Sequence, residues 1–325
     1  MPELPISLRL QHFMTPAAHA HRNLLAPWAA RIAAASEGRL KVDLFTGMEL
    51  GGRPDELYDQ SRDGFLDLAW MLPSYNPGRF LKSEVFELPF VAAASAEATS
   101  RAFHEFVETH AADEFAEIKP IFFWTHDFGV LCLNRPVRNL EDLEGRKVRY
   151  LTRAQKEILS SLGMISQRMG IYPAVEAFSR GELDGLILPW EGVRSFGAMP
   201  FSTHYVEFDF TPTLYTQTHM LTMNLARYEA LPDDLRAVID ANSGIAAAGA
   251  AGSAWDSEAA LVRRIARQEG AEFLDLDSDQ IRDIKGRSRG MMRYWLDEMA
   301  ARGLDGDSYL ERATELVERH RATDN

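Results

Sequence analysis

Leu143-Glu144-Gly145-Arg146-Lys147-Val148-Arg149-Tyr150 is the stretch on which the fold turns. It reads as the start of a short strand in which the apolar Val148 is flanked by Lys147 and Arg149, and a helix opens near Thr152. Thr152 suits an N-cap, because its hydroxyl can accept backbone N–H groups of the first turn. An arginine at the end of a strand, facing the start of a helix, stands where α/β proteins gather small ligands. Its planar fork suits a carboxylate held by two parallel hydrogen bonds. The plainer alternative is an exposed arginine in a surface ion pair, worth roughly 0–1 kcal/mol.

Outward from this stretch the chain alternates strand and helix. On the C-terminal side, a helix over about 153–162 is followed by Gly163, a strand at about 165–169 and a helix at about 173–180. A strand over Asp184–Leu188 then ends in Pro189-Trp190-Glu191. On the N-terminal side, residues 6–13 read as a first strand and Thr15-Pro16 as a helix start. A helical run carrying Leu25, Trp28 and Ile32 has Pro27 inside it, so a kink or a late start is expected. Leu40–Phe45 alternates as a strand, Pro54 opens a short helix, and Phe65–Met71 is a largely buried strand. Each half therefore carries a β-α-β-α-β series, which implies a parallel sheet. The turn Thr125-His126-Asp127-Phe128-Gly129, between strands at 120–124 and 130–133, marks the crossing from one domain to the next. A helix over Ser95 to about Ile118 carries His104 and His110, read as solvent-facing or lightly packed, and Tyr75 reads as exposed on a loop. Extended segments at 204–210 and 214–224 precede helices at 231 onward, 245–268, 278–302 and 307–321.

With 325 residues the chain is long enough for two domains. Its net charge of −13 argues against nucleic acid or an anionic membrane surface as partner, but not against a small anion in a local cationic pocket. The one cysteine, Cys132, excludes an intramolecular disulfide and reads as a small buried hydrophobe in a strand. No apolar run reaches the ~18 residues of a membrane span, and the first residues read as a strand and not as an export signal. Catalytic signatures are lacking: there is no G-x-S-x-G, H-E-x-x-H, P-loop or dinucleotide fingerprint. His19 and His21, with His12 upstream, lack the converging geometry of a metal site, so neither metal nor cofactor is expected. Phe13, Trp70, Trp124 and Trp190 stand at or just after strand ends, where core packing and a ligand crevice are both open readings. Glu191 is a candidate acceptor for a ligand amine or hydroxyl or, equally, a solvated carboxylate.

Several stretches, each weak alone, are strong in their order and spacing. They are Ser36-Glu37-Gly38-Arg39-Leu40-Lys41-Val42, Leu50-Gly51-Gly52, Asp63-Gly64-Phe65-Leu66-Asp67 and Glu87-Leu88-Pro89-Phe90 in the first half. Asn134-Arg135-Pro136-Val137, Leu143 to Arg149, Gly181-Glu182-Leu183-Asp184-Gly185 and Leu231-Pro232 follow in the second. With these, nearly the whole chain resembles the DctP-type solute-binding proteins of TRAP transporters. The resemblance implies an α/β, two-domain periplasmic-binding-protein-like fold with a ligand cleft between domains and long helices spanning both. It implies closure about a hinge, a periplasmic location, and delivery of a small organic acid to a membrane permease of a small and a large subunit. It also implies that Arg149 grips the ligand carboxylate. Two departures weigh against a dicarboxylate or sialic-acid-like ligand. Phe128-Gly129-Val130 stands where many relatives carry a second arginine, and Ser166–Tyr172 lacks a proline common there.

The expected domains are 1–124 plus about 213–252, and 125–212 plus about 253–280, with C-terminal helices over 281–325 packing across both. The expected ligand contacts are Arg149, Trp190, Glu191, Trp70, Phe13, Thr152 and Tyr215. A binding protein for a small amine or amino alcohol, held by Glu191 and the tryptophans, is the alternative. An enzyme on a related scaffold and a sensor that docks to a receptor are further readings. Monomer and homodimer both remain open.

Overall fold

The computed structural model describes residues 4–323. Its strands are Ile6–Gln11 (β1), Leu40–Phe45 (β2), Leu68–Met71 (β3), Ile118–Thr125 (β4), Gly129–Leu133 (β5), Lys147–Tyr150 (β6), Ile165–Arg168 (β7), Gly185–Pro189 (β8), His204–Glu207 (β9), Thr218–Asn224 (β10) and Glu272–Leu274 (β11). They form two sheets, ordered β2-β1-β3-β10-β4 and β11-β9-β5-β8-β6-β7. Two α/β domains follow from this topology. The chain passes from the first sheet to the second between β4 and β5, and β10 returns it to the first.

Both sheets are mixed, which corrects the parallel sheets expected from the alternating pattern. The β-α-β units do pair in parallel, β1 with β2 and β3, and β6 with β7 and β8. Antiparallel strands then extend each set: β10 lies between β3 and β4, and β5 between β8 and β9. These partners are distant in sequence, so local periodicity carries no record of their direction.

The helices are Ala26–Ala35 (α1), Leu57–Arg62 (α2), Ala96–His110 (α3), Arg153–Ser161 (α4), Ile171–Ser179 (α5), Trp190–Ser195 (α6), Leu225–Glu229 (α7), Asp233–Ala241 (α8), Gly244–Gln268 (α9), Ser278–Gly286 (α10), Ser288–Ala301 (α11) and Gly306–Thr323 (α12). Pro27 sits in the first turn of α1, preceded by a π-helical turn over Ala20–Leu25, so the helix starts late instead of kinking. The expected helix over 278–302 is two helices that meet at Arg287, where Gly286 and Gly290 lower helix propensity on both sides. His104 is buried, not solvent-facing: its Nδ1 accepts the Phe123 backbone N–H at 3.2 Å, tying α3 to β4.

Successive residues of β5 serve two cores, as the two-residue strand period requires. Leu131 and Leu133 pack with Val148, Ile187 and Val206 on one face. Val130 and the fully buried Cys132 pack with Leu186, Leu188 and Tyr205 on the other. Helix α9 joins the domains. Its Ala248, Ala251 and Trp255 belong to the core of the first sheet, and Ala259, Val262 and Ala266 to that of the second. Gly252 lets it approach α3, since a Cβ there would stand 2.3 Å from the Ala96 carbonyl oxygen.

Candidate ligand-binding site

Arg149 lies in β6, paired in register with Gln167 and Leu186. Neighbouring strands flank it and only 4% of it is exposed. Its Nε–H donates to the Met169 carbonyl oxygen at 2.9 Å, which fixes the plane of the fork. Among the described residues no carboxylate stands within ion-pairing distance of it. Burial pulls its pKa down, while the Tyr75 and Tyr215 hydroxyls oppose that shift. A guanidinium stays protonated under such a load, so the site holds a buried positive charge without a counter-ion.

That charge faces a small chamber between the two sheets. Phe13 and Trp70 form an aromatic wall, with ring centroids 5.0 Å apart, and Tyr75 meets Phe13 edge-on at 5.5 Å. Leu72, Leu151, Ile171, Leu188 and Phe196 add apolar surface. Tyr75 is therefore part of the wall and not an exposed loop residue. A wider mouth opens over Arg168, Tyr172 and Asp55 and shares Phe13, Tyr75 and Arg149 with the chamber.

Tyr215 is held by a chain of hydrogen bonds across the cleft. Gln155 Nε2 donates to its hydroxyl at 2.6 Å, and the hydroxyl donates to Gln217 Oε1 at 3.1 Å. Gln217 Nε2 donates in turn to Ser74 Oγ at 3.2 Å. The ring needs Gly129 beneath it, where a Cβ would stand 1.7 Å from Tyr215 Cδ1.

The side of the chamber lined by Glu191, His126 and His219 is polar but low in charge. Burial raises the Glu191 carboxyl, and its Oε1 accepts the Ser195 hydroxyl at 2.5 Å. Burial lowers His126 to about 3 and holds His219 well below the ordinary histidine range. His219 stacks on Trp124 with centroids 5.2 Å apart.

Of the seven contacts expected from sequence, Arg149, Phe13, Trp70, Glu191 and Tyr215 line this one chamber. Trp190 and Thr152 do not. Trp190 is fully buried in the second domain, its Nε1–H donating to Glu207 Oε1 at 3.0 Å and its ring packed on Tyr205 and Phe273. Thr152 is the N-cap of α4, its Oγ1 accepting the Gln155 N–H at 3.2 Å within a capping box. His126, Gln217 and His219 were missed. The first sits in the interdomain turn, Gln217 immediately precedes β10, and His219 is the second residue of that strand. Chain crossings bring backbone to the cleft in such folds, and that was the available signal.

The model of the bacterial extracellular solute-binding protein family 7, DctP, matches residues 10–297. The chain belongs to that family. A TRAP solute-binding protein of Rhodoferax ferrireducens, solved with copurified benzoate, is 35% identical, with 98% of this chain and 100% of that one covered and a TM-score of 0.93. A marine metagenome TRAP solute-binding protein specific for aromatic acid ligands, with 3-hydroxybenzoate, is 33% identical over 98% of this chain and 99% of that one, TM-score 0.92. A TRAP periplasmic solute-binding protein of Bordetella bronchiseptica, with bound (R)- and (S)-mandelate, is 26% identical over 97% and 99%, TM-score 0.86. Family membership makes the chain an extracytoplasmic solute receptor, and among the described residues no helix is long and apolar enough to cross a membrane.

Proposed function

We propose that this receptor captures a small aromatic carboxylate in the chamber and delivers it, in the periplasm, to a TRAP membrane permease. The observation that carries the reading is Arg149: a buried guanidinium without an acidic partner, set at the edge of an aromatic-walled chamber. A ligand carboxylate supplies the missing counter-charge and takes the two free edges of the fork. The ring lies along Phe13, Trp70 and Tyr75. Benzoate, 3-hydroxybenzoate and mandelate, the ligands of the similar receptors, all combine one carboxylate with one aromatic ring. Closure of the two domains over the ligand gives the permease a form to recognise.

The amine reading has less support. An ammonium group would share the chamber with the uncompensated Arg149 charge, and burial favours the neutral form of Glu191. Titration calorimetry with benzoate tests the proposal. Wild type should bind, and Arg149→Ala should lose the heat of binding while keeping its circular dichroism spectrum. Equal affinity in both proteins, or thermal shifts with benzylamine and none with benzoate, would reject it.

A further inference from the structure

Two histidines of the chamber are in complementary states, and their neighbours fix which nitrogen carries the proton. His126 Nδ1 contacts the Asp127 carbonyl oxygen, which only accepts. It also lies 3.4 Å from Thr216 Oγ1, whose own proton goes to the His126 carbonyl oxygen at 2.9 Å. The proton of neutral His126 is therefore on Nδ1, and Nε2 is a bare acceptor. His219 is the reverse. Its Nδ1 receives the Trp70 indole N–H at 3.4 Å, and an indole only donates. Its proton is on Nε2. Both Nε2 atoms are buried without a hydrogen-bond partner among the described residues, in rings 6.1 Å apart, and both rings line the chamber. Burial keeps both rings neutral, His126 at about 3.

A buried acceptor and a buried donor that line the same chamber, both unsatisfied, each cost free energy until a partner reaches them. A hydroxyl, on a ligand as in water, both donates and accepts at one oxygen, so a ligand hydroxyl can answer both nitrogens. Gln217 does not compete for that role, because Tyr215 and Ser74 already engage its amide.

We propose that His126 and His219 form a hydroxyl subsite, His126 Nε2 accepting from and His219 Nε2–H donating to one hydroxyl on the ring of the carboxylate held by Arg149. The assignment rests on the aromatic-carboxylate reading and narrows it to ring-hydroxylated acids. A site built to hydrogen-bond a hydroxyl discriminates strongly against the analogue that lacks it, because its polar groups are then left unpaired.

Calorimetry on the full chain with benzoate, the three hydroxybenzoates, and 3- and 4-fluorobenzoate tests it. The 3- or the 4-hydroxy isomer should bind at least tenfold more tightly than benzoate and than the fluoro compound of the same position. 2-Hydroxybenzoate, whose hydroxyl bonds its own carboxylate, should gain nothing. In His126→Leu and His219→Leu the ratio of hydroxybenzoate to benzoate affinity should fall toward one. Equal binding of benzoate and all hydroxy isomers by wild type overturns the subsite and leaves the aromatic-carboxylate reading standing. Absence of binding by every acid overturns both. A tenfold preference that survives in both variants removes the role from these histidines. Long-range ¹H–¹⁵N spectra of wild type check the basis independently of how the variants fold: Nδ1–H for His126 and Nε2–H for His219 are expected, and any other tautomer pair overturns the assignment.

Discussion

Arg149 and Arg153 stand four residues apart, one in β6 and the other at the start of α4, and their surroundings are opposite. Arg153 is fully engaged. It contacts Glu84 at 2.5 Å, pairs with Glu298 of α11, and lies 5.0 Å from the centre of the Tyr294 ring. Glu84 lies in the 3₁₀ turn Ser83–Glu87, so Arg153 ties α4 to that turn and to the C-terminal helices. Among the described residues Arg149 has only a backbone carbonyl as hydrogen-bond partner. One arginine is committed to the fold, and the other is left for something the chain does not contain. A buried charge pair can be neutral for stability, but a lone buried charge is a cost to the unliganded protein. The difference separates a structural cation from a binding one by the company each keeps.

The largest expected effect comes from removing the lone charge. Arg149→Met should weaken benzoate binding by roughly 10²–10³-fold, as expected when one member of a buried, hydrogen-bonded charge pair is lost. The ligand-free protein should melt at the same temperature or higher, because a desolvated charge is gone. A ligand-free variant that melts many degrees lower would show that Arg149 also holds the fold, and the contrast with Arg153 would collapse.

Gly129→Ala acts on the neighbour of that charge. The new methyl group would overlap the Tyr215 ring, which must move and release Gln155 and Gln217. Overpacking of this kind costs about 1–3 kcal/mol, and chemical denaturation should read it together with weaker benzoate binding. Stability and affinity both unchanged would mean that Tyr215 does not brace the cleft.

Arg153→Ala should give the mirror image of the Arg149 result. Among the described residues Glu84 keeps only the Tyr294 hydroxyl and Glu298 only Arg302, and because the site is partly buried the loss is about 1–2 kcal/mol of stability. Benzoate affinity should stay within roughly tenfold. An affinity loss matching that of Arg149→Met would place Arg153 in the binding site as well.

The sequence made this contrast half visible. Arg149 was legible because a strand end and a capped helix start surround it, and Thr152 does cap α4. The β-α-β order of both halves was legible because each unit is local. The direction of β5 and β10 was not, since their partners lie far away in the chain. Trp190 and Trp70 look alike in sequence, each at or next to a strand end. Only the tertiary fold distinguishes an indole packed on Tyr205 from one that walls the chamber beside Phe13. His126 and His219 were invisible for a similar reason: they are 93 positions apart in the numbering and meet only because β10 crosses back between β3 and β4.

Glu87 extends the contrast to negative charge, three residues beyond Glu84. It is buried with no base beside it, and its Oε1 takes the Thr218 N–H at 3.0 Å and the Thr218 hydroxyl at 2.7 Å. Burial outweighs these bonds and pushes the carboxyl up to about 7, from an ordinary value of 4.5. Between those two values the folded protein keeps a proton that the unfolded chain has released. This group's contribution is complete below 4.5 and is lost as pH rises through 7. The slope inside the window is on the order of 1 kcal/mol per pH unit. Histidines lowered by burial, such as His126, act in the opposite direction, so the whole-protein curve mixes the two. Glu87→Gln isolates one of them. The amide oxygen still accepts both Thr218 bonds and cannot titrate. Denaturation midpoints measured from pH 5 to 8 should therefore draw apart, the variant gaining on wild type as pH rises and holding a constant advantage above 7. Parallel curves would mean that Glu87 keeps its charge despite burial. A buried charge without a partner would then be tolerated on both sides of the cleft, and the isolation of Arg149 would no longer single it out.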